Sequence, residues 1–344
     1  VRVDFHRHLE GSHTARALRA VAVAHDLRDE TFYDAVRGRH RTVEELAPTL
    51  GMQGLPGDAG AFYQAIERGR KAYVSVAAIA DLAYETFLDA AAEVDALELR
   101  ASLFSMTRTL LGAQWRAVAP LTFAERAREV LLGLLGARDR AEATTGKRLL
   151  VRIGLSRTFE SEAHYRAMGD MMVEHAERLC GLDVLGILMT GDKEPLEPGL
   201  VAVIERLRPV LPDLTIHAGE FEDHRSVARA LALSPRGIGH GVHAVGSPEV
   251  MARLADAGVT LEVCPSSNDL LIPEAMAALR AQHGGAHPLC TLQRHAVHAV
   301  LGSDDPVSMR TDFPTEEARA RAEGVDLERL AADTARRWAE LTAR

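Results

Sequence analysis

The chain is poor in cysteine, with three thiols, Cys180, Cys264 and Cys290, in 344 residues and no CxxC pair. That scarcity excludes a disulfide framework, points to a reducing cytoplasmic setting, and leaves each thiol to act as a small buried apolar residue. No run approaches the roughly 18 apolar residues of a membrane span, and the N-terminus lacks the basic-then-apolar plan of a secretory signal. A soluble protein is expected. Positive charge is also in deficit. Forty Lys and Arg stand against 49 Asp and Glu, a formal charge of -9, whereas a nucleic-acid surface needs clustered cations that release counterions from phosphates. A small-molecule partner fits this balance better. Three motifs are missing as well: the HExxH of helix-borne zinc proteases, the HxE with PCxxC of cytidine deaminases, and the GxSxG nucleophile elbow. No internal repeat or low-complexity linker interrupts the chain.

What is present is a long alternation. Short apolar runs are separated by stretches rich in Ala, Leu, Glu and Arg whose apolar residues return at helical spacing, the signature of successive βα units. Strands are expected near Arg2 to His6, Ala96 to Ala101, Leu149 to Leu155, Val184 to Thr190, Leu214 to His217, Gly237 to His240, Thr260 to Cys264 and Ala299 to Ser303. Eight is the barrel number, so the pattern predicts one (β/α)8 TIM barrel spanning residues 1–344. A helix is expected from Ser161 to Cys180, stopped by Gly181. Far more chain than one crossover helix needs lies between the first two strands, so an insertion near the barrel mouth is expected at about residues 30–90. Its apolar residues Leu55, Phe62 and Tyr63 are candidates to cover a bound base.

The chemistry sits at the strand ends. Side chains alternate along a strand, so in Asp4-Phe5-His6-Arg7-His8 the two imidazoles share one side and can chelate one metal. Alone, that pair is weak evidence. Other predicted strands end in His217-Ala218-Gly219-Glu220, Gly239-His240-Gly241 and Gly302-Ser303-Asp304-Asp305-Pro306, and in a barrel all these ends converge on one face. His6, His8, His217 and Asp304 would suit a single Zn2+ with a water in the remaining position. Water on zinc ionises near neutral pH and becomes a nucleophile. Glu220, just past His217, can approach a substrate without ligating the metal and is the natural general acid.

These residues resemble the adenosine deaminase family of metal-dependent barrel hydrolases. The matching segments are Asp4 to Ser12, Thr190-Gly191-Asp192, His217 to Glu220, Gly237 to His243, Cys264-Pro265-Ser266-Ser267-Asn268 and Ser303 to Pro306, in the family's order. The resemblance implies that His6, His8, His217 and Asp304 hold zinc, and that Glu220 protonates purine N1 as hydroxide attacks C6 and ammonia departs. It further implies that His240 orients the attacking water as base or electrostatic partner, that Asp305 bonds N7, and that the Gly191 backbone contacts N3. Two positions depart from the pattern. Glu10 stands where adenosine-cleaving members usually carry the Asp that contacts ribose, and resembles adenine deaminases and relatives acting on modified nucleosides. Lys193 replaces an acidic residue.

The leading expectation is therefore a zinc-dependent deaminase of adenosine or a related 6-aminopurine nucleoside or base. A second reading keeps barrel and metal but changes the substrate to adenine, an aminofutalosine-like compound or another biosynthetic intermediate. A third, a silent binding protein on the same barrel, is opposed by the intact set of candidate residues. Asn268 is expected to brace its loop, His243 to brace the turn after His240, and His295 and His298 to lie on a helix before the last strand.

Overall fold

The computed structural model describes residues 1–157, 161–186 and 196–343. Eight parallel strands form one sheet in sequence order: β1 (Val3–His8), β2 (Ala96–Ala101), β3 (Arg148–Ser156), β4 (Gly181–Leu185), β5 (Leu214–Ala218), β6 (Gly237–His240), β7 (Thr260–Val263) and β8 (His298–Leu301). The ring is completed where the backbone just beyond β8 meets β1. The His8 amide donates to the Asp304 carbonyl at 2.8 Å, and the Asp304 amide donates to the His6 carbonyl at 2.7 Å. Asp4 pins the same seam, its carboxylate accepting from the Ser303 hydroxyl at 2.5 Å and the Ser303 amide at 3.2 Å. Helices between the strands bury their apolar faces against the sheet, as TIM-barrel packing requires.

Alternation along the strands puts apolar side chains outward under the helices and, unusually, charges inward. Glu98 and Arg100 on β2, Arg152 on β3, Asp183 on β4 and Glu262 on β7 are all fully buried. Arg100 donates to Glu262 at 2.6 Å, Glu98 at 2.9 Å and Asp183 at 3.0 Å. Arg152 forks onto Glu98 at 2.6 and 2.8 Å and reaches Asp213 at 2.8 Å, while Arg337 from the C-terminal helix Leu327–Thr342 closes the barrel floor with two 2.8 Å bonds to Asp213. Ions buried this way persist only when each finds a partner of opposite sign.

Between β1 and β2 lie helices α1 (Ala15–Ala24), α2 (Val43–Leu50), α3 (Ala59–Arg70) and α4 (Val76–Glu93), with a small hairpin pairing Tyr33–Asp34 with Arg39–His40. Each helix starts on a side-chain cap: Thr14, Thr42 with Glu45 in a capping box, Asp58 and Ser75. α4 packs on the long helix Pro120–Thr145 and leads into β2, whereas α3 lies over the barrel mouth.

Three expectations need correction. The helix expected from Ser161 to Cys180 ends at Val173, and Gly181 opens β4 instead of stopping a helix. A Cβ on Gly181 would sit 2.2 Å from the Asp213 carbonyl and 2.5 Å from Arg152, so this glycine makes room for the ion network rather than a helix end. His298 is the first residue of β8, not helical, and its Nδ1 lies 2.6 Å from Asp333; His295 does cap a helix, Pro288–Arg294. Leu55 is 80% exposed and does not line the cavity at the barrel mouth. Residues 187–190 of the expected fourth strand lie outside the described residues.

Candidate active site

The seam between β1 and β8 brings the donors together. His6 Nε2 lies 3.1 Å from His217 Nε2 and 3.2 Å from His8 Nε2, and Asp304 Oδ1 lies 3.3 Å from His8 Nε2 and 3.7 Å from His6 Nε2. Ligands placed tetrahedrally at zinc distances of roughly 2.0–2.1 Å would stand about 3.3 Å apart. His6, His8 and Asp304 therefore stand near that spacing, and His217 meets the group through His6. Burial first, then Arg100 and the neighbouring imidazoles, holds His6 well below the usual imidazole range; burial and His217 do the same to His8. Both rings are neutral with lone pairs to give. Burial raises Asp304, an effect that a cation beside it would offset.

The outer contacts select the donor nitrogen. Glu262 Oε2 lies 3.1 Å from His6 Nδ1, and Asp183 Oδ1 lies 3.2 Å from His217 Nδ1. The Asp183 carboxylate at His217 Nδ1 fixes the proton there and leaves Nε2 free for a metal, whereas His6 Nδ1 is shared between the Glu262 carboxylate and the donor Arg100. The guanidinium of Arg100, 2.9 Å from His6 Nδ1, is itself held by Glu262 and Asp183, so the barrel's ion network carries the ligand rings. Two glycines clear the space. A Cβ on Gly239 would meet His6 Cε1 at 2.8 Å, and one on Gly302 would meet His6 Cβ at 2.3 Å.

Two neighbouring donor groups, His6 with His217 and His240, and His240 with Cys264 and Asp304, are also close enough to share an ion. Cys264 is poorly suited, because burial keeps its thiol well above the usual range and the Sγ donates to the Glu262 carbonyl.

Around this cluster lies a cavity of about 520 Å³, a size suited to a small organic ligand. Glu220 and His240 line it, with Glu220 Oε2 3.5 Å from His240 Nε2. Asp305 lines it too and presses on Gly11, where a Cβ would come within 1.8 Å of its Oδ1. Among the described residues that oxygen is buried without a hydrogen-bond partner, and burial together with the Asp304 charge pushes the Asp305 carboxyl well above its usual range. Glu10 also faces the cavity; its Oε1 accepts from the Ser102 amide at 3.0 Å, with Arg70 Nη2 4.0 Å away. Phe62 and Tyr63 on α3 form part of the opposite wall. Gly191 and Lys193 lie outside the described residues.

His240 and Asp304 carry φ of 62° and 59°, left-handed values that side-chain-bearing residues seldom adopt and that cost on the order of 1–3 kcal/mol each. Such strain is tolerated where surrounding structure fixes the residue. His243 braces the turn as expected, its backbone amide and Nδ1 both 3.1 Å from the Gly219 carbonyl. Asn268 does otherwise. Its amide Nδ2 is 3.2 Å from His240 Nδ1. Sequence reasoning also missed Asp4, Arg100, Asp183 and Glu262, although charged residues at alternate positions of otherwise apolar strands were the signal.

A barrel with a His and Asp donor cluster on its C-terminal rim is the architecture of a metal-assisted barrel enzyme, with its site assembled from several strand ends. The family described as adenosine deaminase matches residues 2–337, and the chain belongs to that family, one of hydrolytic deaminases acting on aminopurines. It is 28% identical over 325 residues to adenosine deaminase of Yersinia enterocolitica, covering 91% of this chain and 85% of that one. It is also 36% identical over 163 residues to adenine deaminase of Chelativorans sp. (strain BNC1), a match that spans 45% of this chain and about half, 47%, of that relative. Among solved structures, adenine deaminase from Arthrobacter aurescens superposes with a TM-score of 0.72 at 20% identity, covering 97% of this chain and 92% of that one. That likeness confirms the TIM barrel.

Proposed function

We propose that this protein is a zinc-dependent deaminase that hydrolyses the exocyclic amine of a 6-aminopurine nucleoside or base, releasing ammonia and the 6-oxo product. The spacing of His6, His8, His217 and Asp304 beside a cavity lined by Glu220, His240 and Asp305 carries the reading. Those four residues would hold one zinc ion per chain. When bound there, zinc supplies Lewis acidity that makes hydroxide available near neutral pH.

The chain's own residues do the rest. Glu220 gives a proton to ring N1, which lets C6 accept the oxygen nucleophile without building charge on the ring; positioned proton transfer of this kind contributes roughly 10² to 10⁴ in rate. His240, beside Glu220, orients the attacking oxygen. Asp305, whose carboxyl burial raises above its usual range, donates to N7 in its protonated form, and an Oδ1 open to the cavity is what such a contact requires. Asp304 turns to the donor cluster and Asp305 to the base, so adjacent carboxyls serve different partners. The Gly191 backbone is assigned to N3 by family resemblance. Glu10 meets the substituent beyond the ring, and Phe62 with Tyr63 covers the base. Three buried thiols, none of them in a disulfide, support a reducing, cytoplasmic setting.

The test is turnover by zinc-loaded protein of adenosine, adenine and other 6-aminopurine nucleosides, read as ammonia release with the matching ultraviolet change. Turnover of one of them is expected. No turnover of any 6-aminopurine would remove the reading.

A further inference from the structure

The segment Cys264-Pro265-Ser266-Ser267-Asn268 matches the family pattern yet has no part in the mechanism above. It forms the start of the helix Pro265–Leu271, which sits on the rim just after β7. The segment is held firmly. Glu316 accepts from the Ser266 amide at 2.9 Å, and the Asn268 amide donates to the Cys264 carbonyl at 3.0 Å. Asn268 is fully buried, and among the described residues its side chain makes one hydrogen bond, to His240 Nδ1; its own Oδ1 is left without a partner. A buried unpartnered amide oxygen is destabilising, a cost that an apolar residue of the same size would avoid.

We propose that Asn268 is a positioning residue that fixes the tautomer of His240, placing the imidazole proton on Nε2. A neutral imidazole has one N–H and one lone pair. The Asn268 N–H consumes the lone pair at Nδ1, so the proton sits on Nε2, the nitrogen 3.5 Å from Glu220 Oε2 on the cavity side. Two consequences follow. His240 approaches the reacting oxygen as a hydrogen-bond donor, not as a base. It is also barred from the metal, although it stands close enough to His6 and His217 to complete a donor triad, because neither of its nitrogens retains a free lone pair. Asn268 thereby keeps the ion in the His6, His8, His217 and Asp304 set. This inference rests on the function proposed above for the role of His240, but not for the tautomer itself.

The direct test needs no variant. In zinc-loaded protein labelled with 15N-histidine, two-bond 15N–1H correlations report which ring nitrogen carries the proton, and the His240 signal is assigned by its loss in His240→Gln. The expected result is protonated Nε2 and bare Nδ1. A proton on Nδ1, or an Nε2 shift typical of metal ligation, overturns the proposal. The functional arm uses Asn268→Asp, whose carboxylate accepts from Nδ1–H and so moves the proton. We expect kcat to fall about 10- to 100-fold with KM and zinc content near those of the parent, and Asn268→Ser, which keeps a donor, to recover part of the loss. An Asn268→Asp enzyme with parental kcat contradicts the role. If the parent turns over no 6-aminopurine, the proposed function fails, while the tautomer is still decided by the spectrum.

Discussion

Glu220 is the residue on which the proposed chemistry turns, because it sits within the cavity beside His240 without belonging to the donor tetrahedron. Glu220→Gln keeps the volume and removes the transferable proton. It is expected to retain zinc at the parental level and to lose on the order of 10²- to 10⁴-fold in kcat; metal analysis and steady-state rates on the same preparation check both halves, and parental turnover would exclude the proton-donor role. At this scale much was legible beforehand. His6 and His8 are two residues apart on one strand, His217 and His240 lie at the ends of theirs, and Asp304 follows the last strand, so period-2 alternation and barrel geometry were enough to gather them. The partner of His240 was not legible. Nothing local to Asn268 says that its helix turns the amide toward another strand's imidazole, and only the closed barrel creates that contact.

Elements divide the work between scaffold and cover. Seven of the eight strands were placed within about two residues at each end, because runs such as Leu149 to Leu155 are apolar, short and bounded by turn residues. β1 ran two residues further, through His8, since its last residues pair with the backbone after β8, a contact invisible to local pattern. β4 was misread because Gly181 looks like a helix stop, when its missing side chain serves Arg152 across the strand pair. Among the covering elements, α3 presents Phe62 to a small apolar cluster with Met52, Ile66, Leu271 and Met309, whereas Tyr63 is 37% exposed and lines the cavity. Removing Tyr63 should therefore leave the fold intact. Tyr63→Ala is expected to raise KM several-fold with kcat nearly unchanged, the mark of lost uniform binding; a kcat loss at constant KM would place Tyr63 in the chemistry instead.

Over the whole molecule, the barrel interior is an ionic stack running from the floor at Arg337 and Asp213, through Arg152, Glu98 and Arg100, to the rings of His6 and His217. Among the described residues three guanidiniums face four carboxylates, Glu98, Asp183, Asp213 and Glu262, and the two that reach the ligand imidazoles, Asp183 and Glu262, share Arg100. Burial pushes Asp213 upward, but Arg337 and Arg152 outweigh it and hold the carboxyl below its usual range. A depressed folded-state value means stability present above the unfolded carboxyl's pKa of about 3.9 and lost as pH falls below it. Asp213→Asn should cost about 3–5 kcal/mol at pH 7, because two guanidiniums lose a buried partner. Urea unfolding of metal-free protein should show that deficit shrinking as pH drops below about 4; a deficit independent of pH would mean that the carboxylate's charge is not what stabilises the floor. The proposed function requires that this stack end in a donor set able to hold zinc. Metal analysis of zinc-loaded, gel-filtered protein is its most direct test. About one zinc per chain is expected, retained in Tyr63→Ala and lost in His217→Ala, whereas a chain that retains no zinc, or retains it fully in His217→Ala, would contradict the account.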